Sequence, residues 1–148
     1  MKTNINTESN NHKIKITKDK LDHFSQDGND IFAGTHIIAD FFDVPGKFDC
    51  MVMMEKALRE AVIEANATLL HIHLHPFDGG GITGVAALAE SHITVHTWEE
   101  LSFMSFDVFM CGESEPLKAI EVLKKYYQPN DTKIQVIKRG IIKDVEII

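Results

Sequence analysis

Two stretches of helical periodicity, each flanked by strand-like stretches, place the strongest constraint on how this chain folds. The predicted helices cover residues 48–67 and 114–127. The predicted strands cover residues 34–42, 68–77, 85–89, 92–98, 105–112 and 133–142. Helices set among such strands pack naturally on one face of a mostly antiparallel sheet. The order therefore predicts an α+β fold: a two-layer sandwich with two helices on one face of the sheet and two similar halves.

The spacing of apolar residues indicates which face of each helix is buried. In the first helix they recur at intervals of three and four, at Met54, Ala57, Leu58, Ala61, Val62 and Ala65. Such a stripe is typical of core packing, and Asp49 before it is a plausible N-cap. In the second helix Pro116 suits the first turn, and we expect Leu117, Ile120 and Leu123 to face inward.

The composition fits one globular domain and excludes several classes of protein. The chain has 148 residues, of which 44% are hydrophobic and 25% are charged. A net charge of −7 argues against nucleic-acid binding through phosphate neutralisation. Cys50 and Cys111 lack zinc-site spacing and are too few for a disulfide framework, so we expect reduced thiols in a cytoplasmic protein.

The first 30 residues differ in composition from the remainder. They are polar and rich in Asn, Asp and Lys, so we expect residues 1–30 to form a mobile tail or an accessory arm before a compact domain over residues 31–148. This start contains no apolar stretch typical of a secretory signal. No apolar run in the chain approaches the length of a membrane span, so we expect no membrane partner.

Two motifs could bind a ligand. His71, His73 and His75 alternate along one strand and would share a face, where three imidazoles could bind Zn²⁺ or Cu²⁺. With no Cys or Asp cluster nearby, a polar outer face is the favoured interpretation, and we expect no metal. The glycine-rich segment 78–84 could cradle an anion or allow close approach of the backbone to the segment around Ser91, but it lacks the lysine of a P-loop.

The chain also contains residue types that two kinds of hydrolase use. Ser91 and His96 could act as nucleophile and base, and so could Cys111 and His96. The first pair lacks the G-x-S-x-G elbow of serine hydrolases. The second pair lacks any local protease motif.

Three separated motifs in one register resemble the bacterial and archaeal S-adenosylmethionine decarboxylases. They are "GITG" at residues 81–84, "ESHITVHTWEE" at 90–100 and "DVFMCG" at 107–112. The family pattern is approximately F-x-P-x-G-V-S-G, then E-S-H-x-x-x-H-T-W-P-E, then D-x-F-x-C-G. The likeness extends from about Gly34 to Gly140, and several motifs together are far more specific than one.

The resemblance implies a proenzyme that cuts itself between Glu90 and Ser91. The Ser91 hydroxyl would attack the Glu90 carbonyl carbon, and residue 91 would become a covalently bound pyruvoyl cofactor that forms a Schiff base with the substrate amine. It implies that His96 is the processing base, that Thr83 supports processing near the Glu90 carbonyl, and that Cys111 is the proton donor. Because strict alternation would put Ser91 and His96 on opposite faces of a strand, we expect Ser91 at a bend or a strand end.

The resemblance also implies the substrate site and the partners. In this family the Phe77 position stacks on adenine and the Glu100 position holds the ribose, while Trp98 and Phe77 could face the sulfonium cation. The implied activity is decarboxylation of S-adenosylmethionine for polyamine synthesis. The implied assembly is a homodimer of processed protomers with active sites at the interface.

The sequence departs from the family pattern at several positions. Thr83 stands where serine is usual, Gly79 and Gly80 replace Pro-Gln, and Glu99 replaces the proline of T-W-P-E. A second carboxylate at Glu99 would suit a substrate with a distal cation, so decarboxylation of ornithine or arginine on the same scaffold is an alternative. A non-catalytic regulatory relative is a third interpretation, against which stands the joint presence of Ser91, His96 and Cys111.

Overall fold

A computed structural model describes residues 14–46, 48–142 and 145–148 of the chain. Its described part contains nine strands, two α-helices and two short 3-10 helices. The strands are β1 Ile14–Ile16, β2 Ser25–Asp27, β3 Asp30–Phe42, β4 Leu69–Pro76, β5 Ile82–Leu88, β6 Ser91–Trp98, β7 Phe103–Met110, β8 Asp131–Ile142 and β9 Val145–Ile147. The α-helices are α1 Met51–Glu64 and α2 Pro116–Tyr127, and the 3-10 helices are Lys18–His23 and Glu99–Leu101.

Seven of these strands form one antiparallel sheet. Its order is β2-β3-β7-β6-β5-β4, and β8 pairs with β3. A separate parallel pair joins β1 to β9. The central strands alternate between buried and partly exposed residues, as expected for a sheet covered by helices on one face.

The core lies between this sheet and the two helices. From the sheet it receives the alternate residues of β3, β6 and β7, including Phe41, Ile93 and Phe106, and from α1 and α2 it receives Leu58 and Leu123. The helices pack against each other and against the sheet. The predicted α+β fold with two helices on an antiparallel sheet is confirmed.

The predicted packing of the helices is mostly confirmed. All six residues of the first stripe are buried: Met54, Ala57, Leu58, Ala61, Val62 and Ala65. Pro116 occupies the first turn of α2, and Ile120 and Leu123 are buried. The inward position of Leu117 is wrong, because its side chain is 52% exposed. The N-cap at Asp49 is also wrong: α1 begins one residue later than that cap requires, and its cap is Cys50.

The predicted elements differ from the observed ones mainly at their ends. Residues 82–84 belong to β5, so the glycine-rich loop is shorter than predicted. The strand predicted over residues 105–112 is β7, which ends at Met110 and leaves Cys111 and Gly112 beyond its end. Both shifts bear directly on the candidate site described below.

The predicted N-terminal extension lies only partly within the described residues. Residues 1–13 are outside them, whereas residues 14–27 form β1, the first 3-10 helix and β2. No helix in the described ranges is both long and apolar enough to cross a membrane.

Candidate active site

The connection between β5 and β6 places the Glu90–Ser91 peptide bond at a constrained point. Leu88 and Ser91 are paired, so only Ala89 and Glu90 form the turn. Ser91 is the first residue of β6 and has a φ of +148°. Side-chain-bearing residues rarely adopt positive φ, and such strain is concentrated at functional sites. Ser91 thus lies at a strand end, where it was predicted to lie, with a strained backbone.

The carbonyl oxygen of Glu90 is held by a backbone donor. The N–H of Cys111 donates a hydrogen bond to it at 3.2 Å. The geometry follows from the sheet, since Ser91 pairs with Met110 and Cys111 is the next residue after β7. A donor aimed at a carbonyl oxygen stabilises the negative charge that develops there during nucleophilic attack.

The side chain of Glu90 is clamped by Thr68, the residue before β4. The Thr68 N–H donates to Glu90 Oε2 at 2.9 Å, and the Thr68 hydroxyl donates to Oε1 at 3.1 Å. The Ala89 N–H in turn donates to the Thr68 carbonyl oxygen at 3.0 Å. Both residues of the turn are therefore fixed to the start of β4. Thr68 was not predicted from the sequence, because the clamp depends on the pairing of β4 with β5, which brings together residues 22 positions apart.

A cavity of about 250 Å³ opens beside this turn. Its lining residues come from four parts of the chain and are Asp22, His23, Asn66, Glu90, Cys111, Gly112, Glu113 and Ser114. The thiol-bearing residue Cys111 is partly buried there and is not in a disulfide. The structure thus brings Glu90, Ser91 and Cys111 together, and we call these three residues the cleavage cluster.

Thr83 and His96 form a second pair in the middle of the sheet. Thr83 Oγ1 and His96 Nδ1 are 3.1 Å apart, and the two residues face each other across β5 and β6. Five residues along β6 separate His96 from Ser91, and at about 3.3 Å per residue this is roughly 16 Å. Side chains at odd spacing also point to opposite faces of a strand. Within one chain the structure therefore does not bring His96 or Thr83 to Ser91.

The predicted substrate residues lie at the far end of β6 from the cleavage cluster. Phe77 is 52% exposed and Trp98 is 39% exposed. Trp98 stacks on Phe103 with ring centroids 5.2 Å apart. Glu99 and Glu100 begin the 3-10 helix that follows Trp98. With Thr83 and His96, we call Phe77, Trp98, Glu99 and Glu100 the aromatic cluster.

The glycine-rich loop closes on this aromatic end. The backbone of Gly81 approaches Thr97 so closely that an added Cβ would lie 2.9 Å from its carbonyl oxygen, and a Cβ at Gly80 would lie 3.2 Å from Glu99 Oε2. The Ile82 N–H donates to Thr97 Oγ1 at 2.8 Å. The expectation that this loop approaches Ser91 is therefore wrong, because β6 separates the two by its length.

The remaining candidates gain no support from the geometry. His71, His73 and His75 are all exposed on β4, which ends the sheet. Among residues 14–46, 48–142 and 145–148 there is no group of three His, Cys, Asp or Glu side chains placed to hold a metal ion. The hydrolase pairings of Ser91 or Cys111 with His96 are not formed within one chain, because the two clusters are separate.

Comparison with known proteins identifies the family to which this chain belongs. The S-adenosylmethionine decarboxylase family model matches residues 35–140. The chain is 42% identical over 116 residues to the S-adenosylmethionine decarboxylase proenzyme of Methanococcus maripaludis, covering 77% of this chain and 95% of that protein. It is 37% identical to the proenzyme of Thermomicrobium roseum, covering 75% of this chain and 97% of the relative.

A solved structure supports the same assignment at the level of the fold. The crystal structure of the adenosylmethionine decarboxylase from Aquifex aeolicus superimposes with a TM-score of 0.70 and is 36% identical, covering 75% of this chain and 93% of that one. A family match over most of the chain, close relatives and a shared fold agree. The chain belongs to the S-adenosylmethionine decarboxylase family.

Proposed function

We propose that this chain is a self-processing, pyruvoyl-dependent decarboxylase. It converts S-adenosylmethionine to CO₂ and decarboxylated S-adenosylmethionine, the aminopropyl donor for polyamine synthesis, in the cytoplasm. The main support is the Glu90–Ser91 linkage, where Ser91 has a φ of +148° and the Glu90 carbonyl oxygen accepts a hydrogen bond from Cys111. Strain and a placed donor both favour attack on an otherwise unreactive amide.

The proposed cleavage needs no reagent other than water and the side chains of this protein. The Ser91 hydroxyl oxygen adds to the Glu90 carbonyl carbon, and the amide C–N bond breaks to give an ester and a free amine on residue 91. A base removes the Ser91 α-proton, the ester C–O bond breaks, and Glu90 leaves as a carboxylate. The dehydroalanine at residue 91 takes up water and loses ammonia, which leaves the ketone of a pyruvoyl group.

The surroundings of residue 91 fit such a group, because the cavity beside it is lined by both Glu90 and Cys111. The ketone supplies an electrophile for the substrate amine and a sink for the electron pair released with CO₂. Cys111 holds the proton that is returned to the substrate α-carbon. Its backbone N–H donates to the Glu90 carbonyl oxygen, so the residue that carries the thiol is held next to the Glu90–Ser91 linkage.

The processing base reaches Ser91 from a second copy of the chain. The cleavage cluster and the aromatic cluster lie at opposite ends of β6. Ile93 and Val95 of β6 belong to the core under the helices, so His96, which alternates with them, lies on the other face of the sheet. Two such faces can stack about 10 Å apart. In a two-fold dimer that reverses the strand direction, each cleavage cluster meets the aromatic cluster of the partner.

In this homodimer each substrate site is shared. One chain provides residue 91 and Cys111, while the partner provides Thr83, His96 and the exposed aromatic side chains. Phe77 and Trp98 offer apolar faces for adenine and for the sulfonium cation. Glu100 is an exposed carboxylate suited to the ribose hydroxyls. Glu99 lies against the glycine-rich loop, at the same end of the sheet as these residues.

Decarboxylation of ornithine or arginine is not favoured. The relatives at 37% and 42% identity are named for S-adenosylmethionine. The feature that suggested a basic amino acid was the extra carboxylate of Glu99, and this carboxylate packs on Gly80 beside the aromatic end of the sheet. The non-catalytic alternative is likewise disfavoured, because the cleavage cluster is assembled.

Release of labelled CO₂ tests the proposed function directly. The purified protein is offered carboxyl-labelled S-adenosylmethionine, ornithine and arginine in parallel. We expect release from S-adenosylmethionine alone, and none from the Ser91→Ala variant, which cannot form the ketone. Release only from ornithine or arginine would reverse the substrate assignment, and undiminished release by Ser91→Ala would exclude the pyruvoyl mechanism.

A further inference from the structure

Residues 18–27, which we call the N-terminal wall, border the cavity beside the cleavage cluster. The wall comprises the 3-10 helix Lys18–His23, Phe24 and β2. Asp22 and His23 line the cavity together with Glu90 and Cys111. The family match begins at residue 35, so the wall precedes the region shared with the family. Its position is therefore a feature of this chain that the family assignment does not explain.

The wall is fixed to the main sheet through β2. Ser25 pairs with Phe32, a buried residue of β3. Lys138 of β8 binds Asp27 at 2.7 Å and Asp30 at 3.3 Å, and its ammonium lies 5.3 Å from the centroid of the Phe32 ring. The hydrogen bond and positive charge of Lys138 lower the pKa of Asp27, as expected for a formed ion pair. The wall thus has a defined place on the sheet.

The wall also contacts the backbone next to the proposed proton donor. The Ser25 hydroxyl donates a hydrogen bond to the carbonyl oxygen of Gly112 at 3.2 Å. The Asp22 carbonyl oxygen lies 3.4 Å from where a Cβ on Gly112 would be, and Gly112 has a φ of +63°. The turn that follows Cys111 therefore packs against the wall, and displacement of the wall would free this turn.

His23 differs in charge type from its neighbours in the cavity. Among the described residues that line the cavity, three are carboxylates (Asp22, Glu90 and Glu113), and His23 alone has a basic side chain. A substrate that is to lose CO₂ enters with a carboxylate, which the acidic side chains repel and which an imidazole N–H can bind. His23 is thus suited to the carboxylate end of the substrate.

We propose that two residues of the N-terminal wall act in the active site: Ser25 positions the Cys111–Gly112 turn, and His23 binds the carboxylate of the substrate. This inference rests on the proposed function for the identity of the substrate. The positioning by Ser25 depends only on the contacts above. The two parts can therefore be tested separately in the full-length protein.

The first test measures the rate at which iodoacetamide labels Cys111, with the exposed Cys50 as an internal reference read on a separate peptide. In Ser25→Ala we expect Cys111 to be labelled roughly five-fold faster, the factor typical of one lost hydrogen bond, with Cys50 unchanged. Lys20→Ala, an exposed change in the same 3-10 helix that does not line the cavity, should leave both rates unchanged. Equal Cys111 rates in Ser25→Ala and the unaltered protein would overturn the positioning role.

The second test measures steady-state kinetics with S-adenosylmethionine. We expect His23→Ala to raise KM roughly ten-fold without lowering kcat more than about two-fold, because a contact to the carboxylate that departs as CO₂ is made in the bound substrate and is not strengthened in the transition state. His23→Asn, which retains an N–H donor, should recover part of the affinity, and Lys20→Ala should match the unaltered protein. An unchanged KM in His23→Ala would overturn the carboxylate contact. If the unaltered protein released no CO₂, the proposed function would fail, while the labelling test would still decide the packing of the wall.

Discussion

At the scale of single residues, the proposed cleavage places two requirements on Glu90. Its carbonyl carbon must face the Ser91 hydroxyl, and the residue itself must be held in place during the attack. Thr68 meets the second requirement with two hydrogen bonds to the carboxylate. Thr68→Val keeps the shape and the backbone N–H but removes the hydroxyl donor, which costs about 1 kcal/mol. We therefore expect self-cleavage to slow roughly five-fold, measured as the half-time of the intact chain on denaturing gels. Thr132→Val, on the distant strand β8, is the matched control and should cleave at the unaltered rate. Equal half-times for both variants would show that the clamp is irrelevant to cleavage.

At the scale of elements, the close pairing of β3 with the end of β7 holds the residue that precedes Cys111. A Cβ on Gly34 would lie 2.5 Å from the Met110 carbonyl oxygen and 2.9 Å from the Phe109 ring, so Gly34→Ala must push these strands apart. Overpacking of this kind costs about 1–3 kcal/mol and lowers Tm by roughly 3–10 °C. Since Met110 precedes the N–H that holds Glu90, we also expect slower cleavage. Gly79→Ala, where the added Cβ meets nothing within 4 Å, should change neither quantity. Calorimetry and the gel assay check both, and a Gly34→Ala protein with unaltered Tm would contradict the close approach.

At the scale of the whole molecule, the cleavage cluster and the aromatic cluster lie apart within one chain, and the proposed dimer brings them together. Ser91→Ala and His96→Ala chains, each with a different tag, should both remain uncut when expressed alone. When they are expressed together, the His96→Ala chain has Ser91 and receives His96 of the partner subunit, so we expect that chain to be cut. The Ser91→Ala chain should stay intact in the same mixture. Failure of the His96→Ala chain to cleave in a mixed dimer of confirmed composition would place the base within its own chain.

The sequence was sufficient to predict the layers of the fold and most of the residues now assigned to the site. The stripe from Met54 to Ala65 determined the buried face of α1, since helical spacing alone defines a face. Leu117 was misplaced because it directly follows the proline at the start of α2, where tertiary packing determines which side is covered. For Ser91 and His96, the sequence predicted only that the two side chains would point to opposite faces of a regular strand. It did not predict that they belong to separate clusters within one chain.

Other features depend on distances between strands that a single sequence does not encode. The Thr68 clamp requires the pairing of β4 with β5, and the bond from Cys111 N–H to Glu90 requires the pairing of Ser91 with Met110. The N-terminal wall requires the pairing of β2 with β3, in a segment whose composition suggested only a polar arm. Register is set by turns, bulges and the packing of whole faces.

The central claim is that the bond between Glu90 and Ser91 breaks without help and leaves a ketone, and mass spectrometry of the purified, denatured protein tests it most directly. We expect two fragments that correspond to residues 1–90 and 91–148. The second should lack a free amino terminus. After treatment with hydroxylamine it should gain the mass of an adduct on the ketone at residue 91. A single intact chain after prolonged incubation, or a second fragment that begins with an ordinary serine, would contradict the account.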